Sequence, residues 1–257
     1  MKEAEKLHFL EKLDAERLKL AETGEVVARE FSPDLSECRI VALHPNQDNI
    51  VSIISTEKLL AKKNNYALEW KVYEHDLHGG LGDCLLSEGF KADDKENVLV
   101  YPIKNLSFQK INELVLPPGS KIERVINEHG LEYLAEISRQ IGRRDVDREK
   151  NRLSEILKTM PESLSIFVLS LNKEPVSCLR MHYPSNSIFA ELAGARTKST
   201  HRRKGFFTAL VVHSLREVAK RRRKAVLVDA LPTSETILKE LGFEFLTTTQ
   251  PFQLKTA

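Results

Sequence analysis

The sequence is poor in cysteine and contains no long apolar run. Its three cysteines, Cys38, Cys84 and Cys178, are widely separated and form no C-x-x-C pair. This spacing indicates neither a disulfide framework nor a zinc site, and it favours a reducing compartment. No apolar stretch approaches the roughly 20 residues of a membrane span, and the charged helical pattern at the N-terminus differs from a signal peptide. We therefore expect a cytoplasmic protein with no membrane span and no metal.

Neither sign of charge is in excess. The 257 residues include 39 Lys and Arg and 37 Asp and Glu, a net charge of +2, which does not demand a nucleic-acid partner. The basic run 220–224 (KRRRK) ends a helical pattern, where cations complement the negative end of the helix dipole. Because no aromatic residues are interleaved with it, we expect this run to stabilise the helix and not to bind nucleic acid.

The composition, 41% hydrophobic and 30% charged, is that of a globular protein with room for one large or two modest domains. The Leu-Pro-Pro-Gly run at 116–119 breaks the helical and strand periods, so we predict domains at 1–115 and 116–257. The strand, helix, Gly-Phe, strand order of 66–103 recurs at 225–246, which indicates an internal duplication. Strand-helix-strand units are also common in unrelated proteins.

The most informative segment is a basic glycine turn between a strand and a helix. Residues 188–197 are rich in strand formers, and apolar residues recur at helical spacing after the turn. The unpaired N–H groups at a helix start bind phosphate, with help from the helix dipole. Glycine lets a ligand approach the backbone closely. A solvated helix start is the alternative reading. The predicted phosphate-binding residues are Arg202, Arg203, Lys204, Gly205, Phe206, Phe207 and Thr208.

A second motif follows this helix. The apolar segment 225–231 reads as a strand, and Pro232 then opens a short helix that closes at Gly242. Thr233 or Ser234 is the predicted N-cap of that helix, and Gly242 is its predicted C′ residue.

Together these motifs resemble the GNAT superfamily of N-acetyltransferases, whose pyrophosphate signature is Arg/Gln-x-x-Gly-x-Gly/Ala. Arg202 and Gly205 match it, whereas Phe207 replaces the final small residue. The chain is more similar to a branch with an aromatic residue there and with the motifs Asp-Ala-x-x-x-Ser and Ile-Leu-x-x-Leu-Gly-Phe. The residues that fill these motifs are Asp229, Ala230, Ser234, Ile237, Leu238, Leu241, Gly242 and Phe243. The resemblance covers 164–252 and is diffuse upstream.

The resemblance implies an α/β (α+β) fold, with a mixed, mostly antiparallel twisted sheet flanked by helices, in tandem GNAT-like halves. The first half lacks an Arg-x-x-Gly turn and is expected to bind no coenzyme A. The implied activity is transfer of acetyl from acetyl-CoA to a primary amine, by direct attack in a ternary complex. A non-catalytic acyl-CoA sensor or scaffold is the alternative. The acceptor and the oligomeric state do not follow from the resemblance.

The resemblance also assigns the end of the strand before the turn to the acyl group. Ala195, Arg196 and Thr197 are expected to contact the pantetheine and the acyl carbonyl. A backbone N–H there would stabilise the oxyanion, and the loss of such a donor costs on the order of 100-fold in rate or more. Ordinary sheet pairing is the alternative role of these residues.

Glu191 is the candidate general base. It lies eleven residues before Arg202, the spacing of the glutamate base in histone-type GNAT enzymes, and strand alternation places it on one face with Ala193 and Ala195. Burial beside an apolar acyl site would raise the pKa of this carboxylate towards neutrality. An exposed strand residue or a salt-bridge partner is the alternative reading.

Ser234 is the candidate acid. GNAT enzymes use a tyrosine at the position of Leu238 to protonate the leaving thiolate, so this role falls here to Ser234, to water or to no group. A helix cap is the alternative for Ser234. His182 and Tyr183 are further candidates, with packing as their alternative. Cys178 lies near the predicted acyl site, and nothing in the sequence marks it as a nucleophile.

Overall fold

The computed structural model describes residues 1–21, 25–44, 49–76, 79–107 and 116–254. The chain forms two compact units, each built from segments that are not contiguous in sequence. The first comprises Met1–Leu99, Ala230–Thr233 and Phe245–Ala257, and the second comprises Val100–Asp229 and Ser234–Glu244. The predicted boundary at 116–119 and the predicted duplication remain predictions.

The first unit combines helices with a mixed sheet. Its helices are α1 (Glu3–Leu18), α2 (Ile50–Asn64) and α3 (Leu81–Ser87). Its strands are β1 (Val27–Phe31), β2 (Glu37–Leu43), β3 (Ala67–Tyr73), β4 (Phe90–Ala92) and nearly all of β11 (Glu244–Leu254), while β5 (Glu96–Pro102) continues into the second unit. The strand order is β1-β2-β3-β11, with β4 also paired to β11. Only the β2–β3 pair among these is parallel, and Ile54, Trp70 and Phe252 lie in the core.

The second unit has a sheet in the order β10-β9-β8-β7-β6. Its strands are β6 (Ser120–Arg124), β7 (Leu164–Leu171), β8 (Glu174–His182), β9 (Phe189–Thr197) and β10 (Ala225–Ala230). Its helices are α4 (Glu128–Gln140), α5 (Val146–Thr159), α6 (Phe206–Lys220) and most of α7 (Pro232–Glu240). Neighbouring strands are antiparallel except β9 and β10, which are parallel. This confirms the predicted mixed, mostly antiparallel sheet flanked by helices.

Turn chemistry explains where several elements stop. The β7–β8 hairpin closes through Asn172 and Lys173, both with positive φ, as the tight hairpin turn that matches strand twist requires. Gly242 has a φ of 101°, and the N–H groups of Gly242 and Phe243 bond back to the last turn of α7, which confirms Gly242 as the C′ residue. The predicted N-cap is wrong: α7 begins at Pro232, because proline suits the first helical position, so Thr233 and Ser234 lie inside the first turn.

The basic run at the end of α6 is tied into the second unit. Arg221 donates to the carbonyl of Glu162 at 2.8 Å and lies 4.1 Å from the centre of the Tyr183 ring. Arg223 donates to the carbonyl of Ser187. These contacts agree with the predicted structural role of the run, and they place Tyr183 in the packing of this helix end.

The strand β9 contains a bulge at Gly194. On β8, Cys178 pairs with Arg196 and Arg180 pairs with Ala193, so Gly194 and Ala195 together face a single residue. Gly194 has a φ of 59°, the left-handed conformation of a glycine that opens a bulge. A methyl group at Gly194 would lie only 2.7 Å from Nη2 of Arg180. Position 194 therefore requires glycine for two reasons: its left-handed backbone conformation and the lack of space for a side chain.

We predict that Gly194→Ala destabilises the protein more than a glycine replacement with the same backbone strain alone. Gly142 is the matched control, because it also has a positive φ but open space around its Cα. Gly142→Ala should cost about 1 kcal/mol, and Gly194→Ala about 2 kcal/mol or more because the guanidinium must also move. Urea unfolding of both variants measures the difference. Equal losses would contradict the contact with Arg180.

Candidate functional site

The strands β9 and β10 separate after a short shared ladder. Their pairs run from Phe189 with Ala225 to Glu191 with Leu227, although β9 continues to Thr197 and β10 to Ala230. Among the described residues, the ladder between β9 and β10 therefore ends at Glu191. From Leu192 onwards, the backbone N–H and C=O groups on the β10-facing edge of β9 lie outside this ladder. Such groups need a partner, and an extended ligand chain can supply it. The predicted acyl segment, Ala195 to Thr197, lies on this open stretch just after the bulge.

The basic glycine turn directly follows this strand end. Gly205 is the N-cap of α6, with a φ of 78° and no side-chain capping bond. The first bond back to the cap comes from the N–H of Ala209 at 2.9 Å, so the N–H groups of the first turn point out of the helix start. Arg203 also has a positive φ. This backbone shape presents successive amides to an anion.

The side chains of the turn divide into exposed cations and buried anchors. Arg202, Arg203 and Lys204 are exposed, and Arg202 donates to the carbonyl of Thr197 at 3.3 Å. Phe206 is 1% exposed, so only its backbone can meet a ligand. Phe207, the departure from the GNAT signature, is half-buried together with Thr208. The structure thus gathers three charges and a helix start at the end of β9.

The side chains at the strand end are engaged in contacts with neighbouring helices and strands of the second unit. Arg196 bonds to Glu149, and Thr197 shares a 2.8 Å hydrogen bond with Ser177. Lys198 is 2% exposed and donates to Glu136 and Glu174. For Arg196 and Thr197 the backbone is therefore the part that can serve an acyl group.

Glu191 lies on β9 opposite His182 of β8. Its side chain is exposed, which agrees with the alternative reading of an exposed strand residue and not with a carboxylate buried beside an acyl site. Burial, with the charges of Arg180 and Arg152, lowers the pKa of His182 to about 4, so the imidazole is neutral at pH 7. The bulge also breaks strict alternation, which corrects the prediction that Ala195 shares the face of Glu191 and Ala193.

The candidate acid and the nearby thiol differ in their surroundings. Ser234 is half-buried in the first turn of α7, and Leu238, one turn later, is fully buried in the core. Burial raises the pKa of the Cys178 thiol to about 12. Cys178 is therefore protonated at neutral pH and a poor nucleophile.

A buried ionic cluster beside the bulge escaped the sequence analysis. Arg196 makes two bonds to Glu149, of 2.6 and 2.8 Å, and one of 2.5 Å to the hydroxyl of Ser138. Arg180 donates to the same carboxylate. Burial alone would raise the pKa of Glu149, but hydrogen bonds from Arg196 and the charge of Arg180 hold it at about 2. The sequence did contain one signal of this cluster. Arg180 lies between Leu179 and Met181 in a strand that is buried on both faces, and a buried arginine needs an anionic partner.

Asp14, His75 and Asp76 form the one group in the described ranges with metal-like spacing. Arg17 donates to Asp14 at 2.8 Å and to Asp76 at 2.8 and 3.1 Å. One guanidinium therefore already contacts both carboxylates. We assign no metal to this group.

Comparison with solved structures relates this geometry to known proteins. A GCN5-related N-acetyltransferase from Kribbella flavida aligns with a TM-score of 0.68 over 98% of this chain and 95% of its own, at 15% identity. A tandem GNAT protein from the clavulanic acid biosynthesis pathway aligns with a TM-score of 0.62 over 86% of this chain and 76% of its own, at 13% identity. The chain has the GNAT fold.

Another protein of the GNAT fold, the GCN5-related N-acetyltransferase from Sphaerobacter thermophilus, gives a TM-score of 0.62 over 90% of this chain and 77% of its own, at 8% identity. Identities this low establish the shared fold alone. The sequence matches no protein-family model and no curated protein. Among the helices described, none combines the length and apolar character needed to cross a membrane.

We predict that Glu149→Gln destabilises the protein by about 3 kcal/mol, because it removes the carboxylate from between two buried guanidinium groups. The folded pKa of Glu149, about 2, lies below its ordinary value of 4.5, so its stabilisation is complete above pH 4.5 and is lost as the pH falls towards 2. The difference in free energy of unfolding between wild type and variant, measured with urea, should shrink over this pH range. Glu155→Gln, an exposed change on the same helix, is the control. A gap independent of pH would contradict the assignment.

Proposed function

We propose that the protein is an acyl-CoA-dependent N-acyltransferase that moves acetyl from acetyl-CoA to a primary amine. The observation that carries the proposal is the end of β9. There an open strand edge, a glycine bulge and an uncapped helix start with three cations follow one another in the described structure. The strand edge suits the amide groups of pantetheine, and the helix start suits the pyrophosphate.

In this proposal each part of the site has a separate task. The amides of Phe206, Phe207 and Thr208 bind phosphate oxygens, with the charges of Arg202, Arg203 and Lys204 around them. Backbone N–H groups at Ala195 to Thr197 orient the thioester and stabilise the oxyanion that forms on its carbonyl oxygen. These tasks need backbone rather than side chains, which agrees with the engagement of Arg196 and Thr197 elsewhere.

The proposed reaction is direct attack in a ternary complex. The amine nitrogen bonds to the carbonyl carbon, Glu191 accepts the proton that the amine loses, and the C–S bond breaks to release the CoA thiolate. Glu191 is exposed and lies opposite the neutral His182, so an amine can reach its carboxylate directly or through water. The high pKa of Cys178 argues against an acyl-cysteine intermediate. Ser234 or water protonates the thiolate.

The alternative is a binding module that holds acyl-CoA without turnover. The observation that favours it is Leu238, whose buried side chain occupies the place of the usual tyrosine. A thiolate is a tolerable leaving group without an acid, so this substitution slows catalysis without abolishing it. A cytoplasmic location, where acetyl-CoA and free thiols coexist, is part of the proposal.

We predict that Gly205→Asp weakens coenzyme A binding by roughly tenfold or more, because it places a negative charge at the pyrophosphate position. Isothermal titration calorimetry should show one site per chain in the wild type and reduced affinity in the variant. Gly89→Asp is the matched control, since Gly89 also has a positive φ with open space but lies in the first unit. Equal affinity in both variants would contradict the assignment of the turn as the pyrophosphate-binding site.

We predict that Glu191→Gln lowers the rate of acetyl transfer at neutral pH by roughly 100-fold or more, the range expected for lost proton transfer. Coenzyme A affinity should stay within about twofold, because the phosphate contacts are separate from the base. Steady-state kinetics and calorimetry on one preparation measure both quantities. Wild-type turnover in the variant would contradict the assignment of Glu191 as the general base and would leave water or His182 as the candidate.

A further inference from the structure

The ionic cluster of the second unit carries a surplus positive charge. Two guanidinium groups, those of Arg180 and Arg196, meet the single carboxylate of Glu149. The side chains of these three residues are only 11%, 7% and 15% exposed. Buried charges are normally matched one to one. Arg196 holds the carboxylate through two bonds, so Arg180 is the unmatched member.

Arg180 also has unused hydrogen-bond donors. Within the part of the chain that the structure describes, Glu149 is the one acceptor for its side chain, reached through Nη1. Its Nε is buried without a hydrogen-bond partner. A guanidinium has five N–H donors in a planar fork that matches a carboxylate. Leaving such donors buried and unpaired is costly, and a bound anion would remove that cost.

The position of Arg180 connects this free fork to the proposed reaction. Arg180 pairs with Ala193 across the sheet, and its guanidinium lies against Gly194 at the bulge. Two residues along the same face, roughly 7 Å away by strand spacing, His182 lies opposite Glu191. An anion on Arg180 would thus lie between the proposed base and the proposed acyl segment.

Other titratable groups lie near this position. Arg152 contributes a positive charge to the surroundings of His182 and Arg180. His182 is neutral, Cys178 is a protonated thiol, and the charge of Glu149 is shared with Arg196. Glu191, opposite His182, is an exposed carboxylate. Two buried guanidinium groups on the single carboxylate of Glu149 therefore favour an anionic substrate group over a cationic one.

We propose that Arg180 binds a carboxylate carried by one of the two substrates, either the acceptor amine or the acyl group. The inference rests on the proposed function, since it assumes that both substrates meet at the end of β9. In the first case the acceptor is an amino-acid-like molecule. In the second the acyl group is a dicarboxylic acid joined to coenzyme A through one end.

Paired substrates distinguish the two sources. In the first comparison, amino acids and their carboxamides serve as acceptors with acetyl-CoA as the donor. In the second comparison, succinyl-CoA and acetyl-CoA serve as donors with the carboxamides as acceptors. The carboxylate form should be preferred in kcat/KM by roughly 30-fold or more in one comparison, and Arg180→Met should reduce that preference to about threefold or less. Arg180→Lys should keep part of it. Lys158→Met, which removes an exposed cation from α5, is the control and should keep it all. Acyl transfer without a carboxylate preference in either comparison overturns the inference.

Binding is also measured without turnover. The Nε–H resonance of Arg180 is identified in NMR spectra by its absence in Arg180→Lys. It is then followed while N-acetylglycine or succinate is added, and the corresponding amide of each serves as the control ligand. The resonance should move with a carboxylate and not with the amides, and a resonance that stays fixed overturns the inference. If it moves but no amine is acylated from either donor, the anion site stands and the proposed acyltransferase function fails. This titration uses wild-type protein and decides the question even if Arg180→Met does not fold.

Discussion

The left-handed backbone at Gly194 is the constraint from which the site geometry follows. It admits the extra residue of the bulge, after which β9 runs on towards the glycine turn with its β10-facing edge outside the shared ladder. The same absence of a Cβ leaves room for the guanidinium of Arg180. A side chain here would strain the backbone and displace the arginine together, so the bulge and the cation beside it depend on one residue.

The ionic cluster ties that strand to the helices that cover it. Arg196, just beyond the bulge, reaches Glu149 on α5 and Ser138 on α4. These bonds direct the Arg196 side chain away from the strand edge and leave its backbone for a ligand. The cluster also puts more positive than negative charge into a buried place. Proteins tolerate that imbalance where it serves recognition, because the missing counter-charge arrives with the ligand.

Local sequence signals located the elements but not the contacts between them. The C′ role of Gly242 and the glycine turn at Gly205 were readable because each depends on a few adjacent residues. The N-cap of α7 was misplaced by two or three residues, since Pro232 competes with Thr233 and Ser234 for the helix start. The sequence left open whether Glu191 is buried or exposed, because burial depends on what covers a strand face and neighbouring residues do not encode that.

The sequence by itself determined the order of strands and helices, the turn that suits a pyrophosphate and the lack of a tyrosine at Leu238, since each is written in residue types and spacings. Only the tertiary structure decided that β9 and β10 separate after Glu191, that Gly194 forms a bulge, and that Glu149, Arg180 and Arg196 meet. These residues lie far apart in the chain, and long-range pairing is set by how whole faces pack. Spacing within any one segment does not record it.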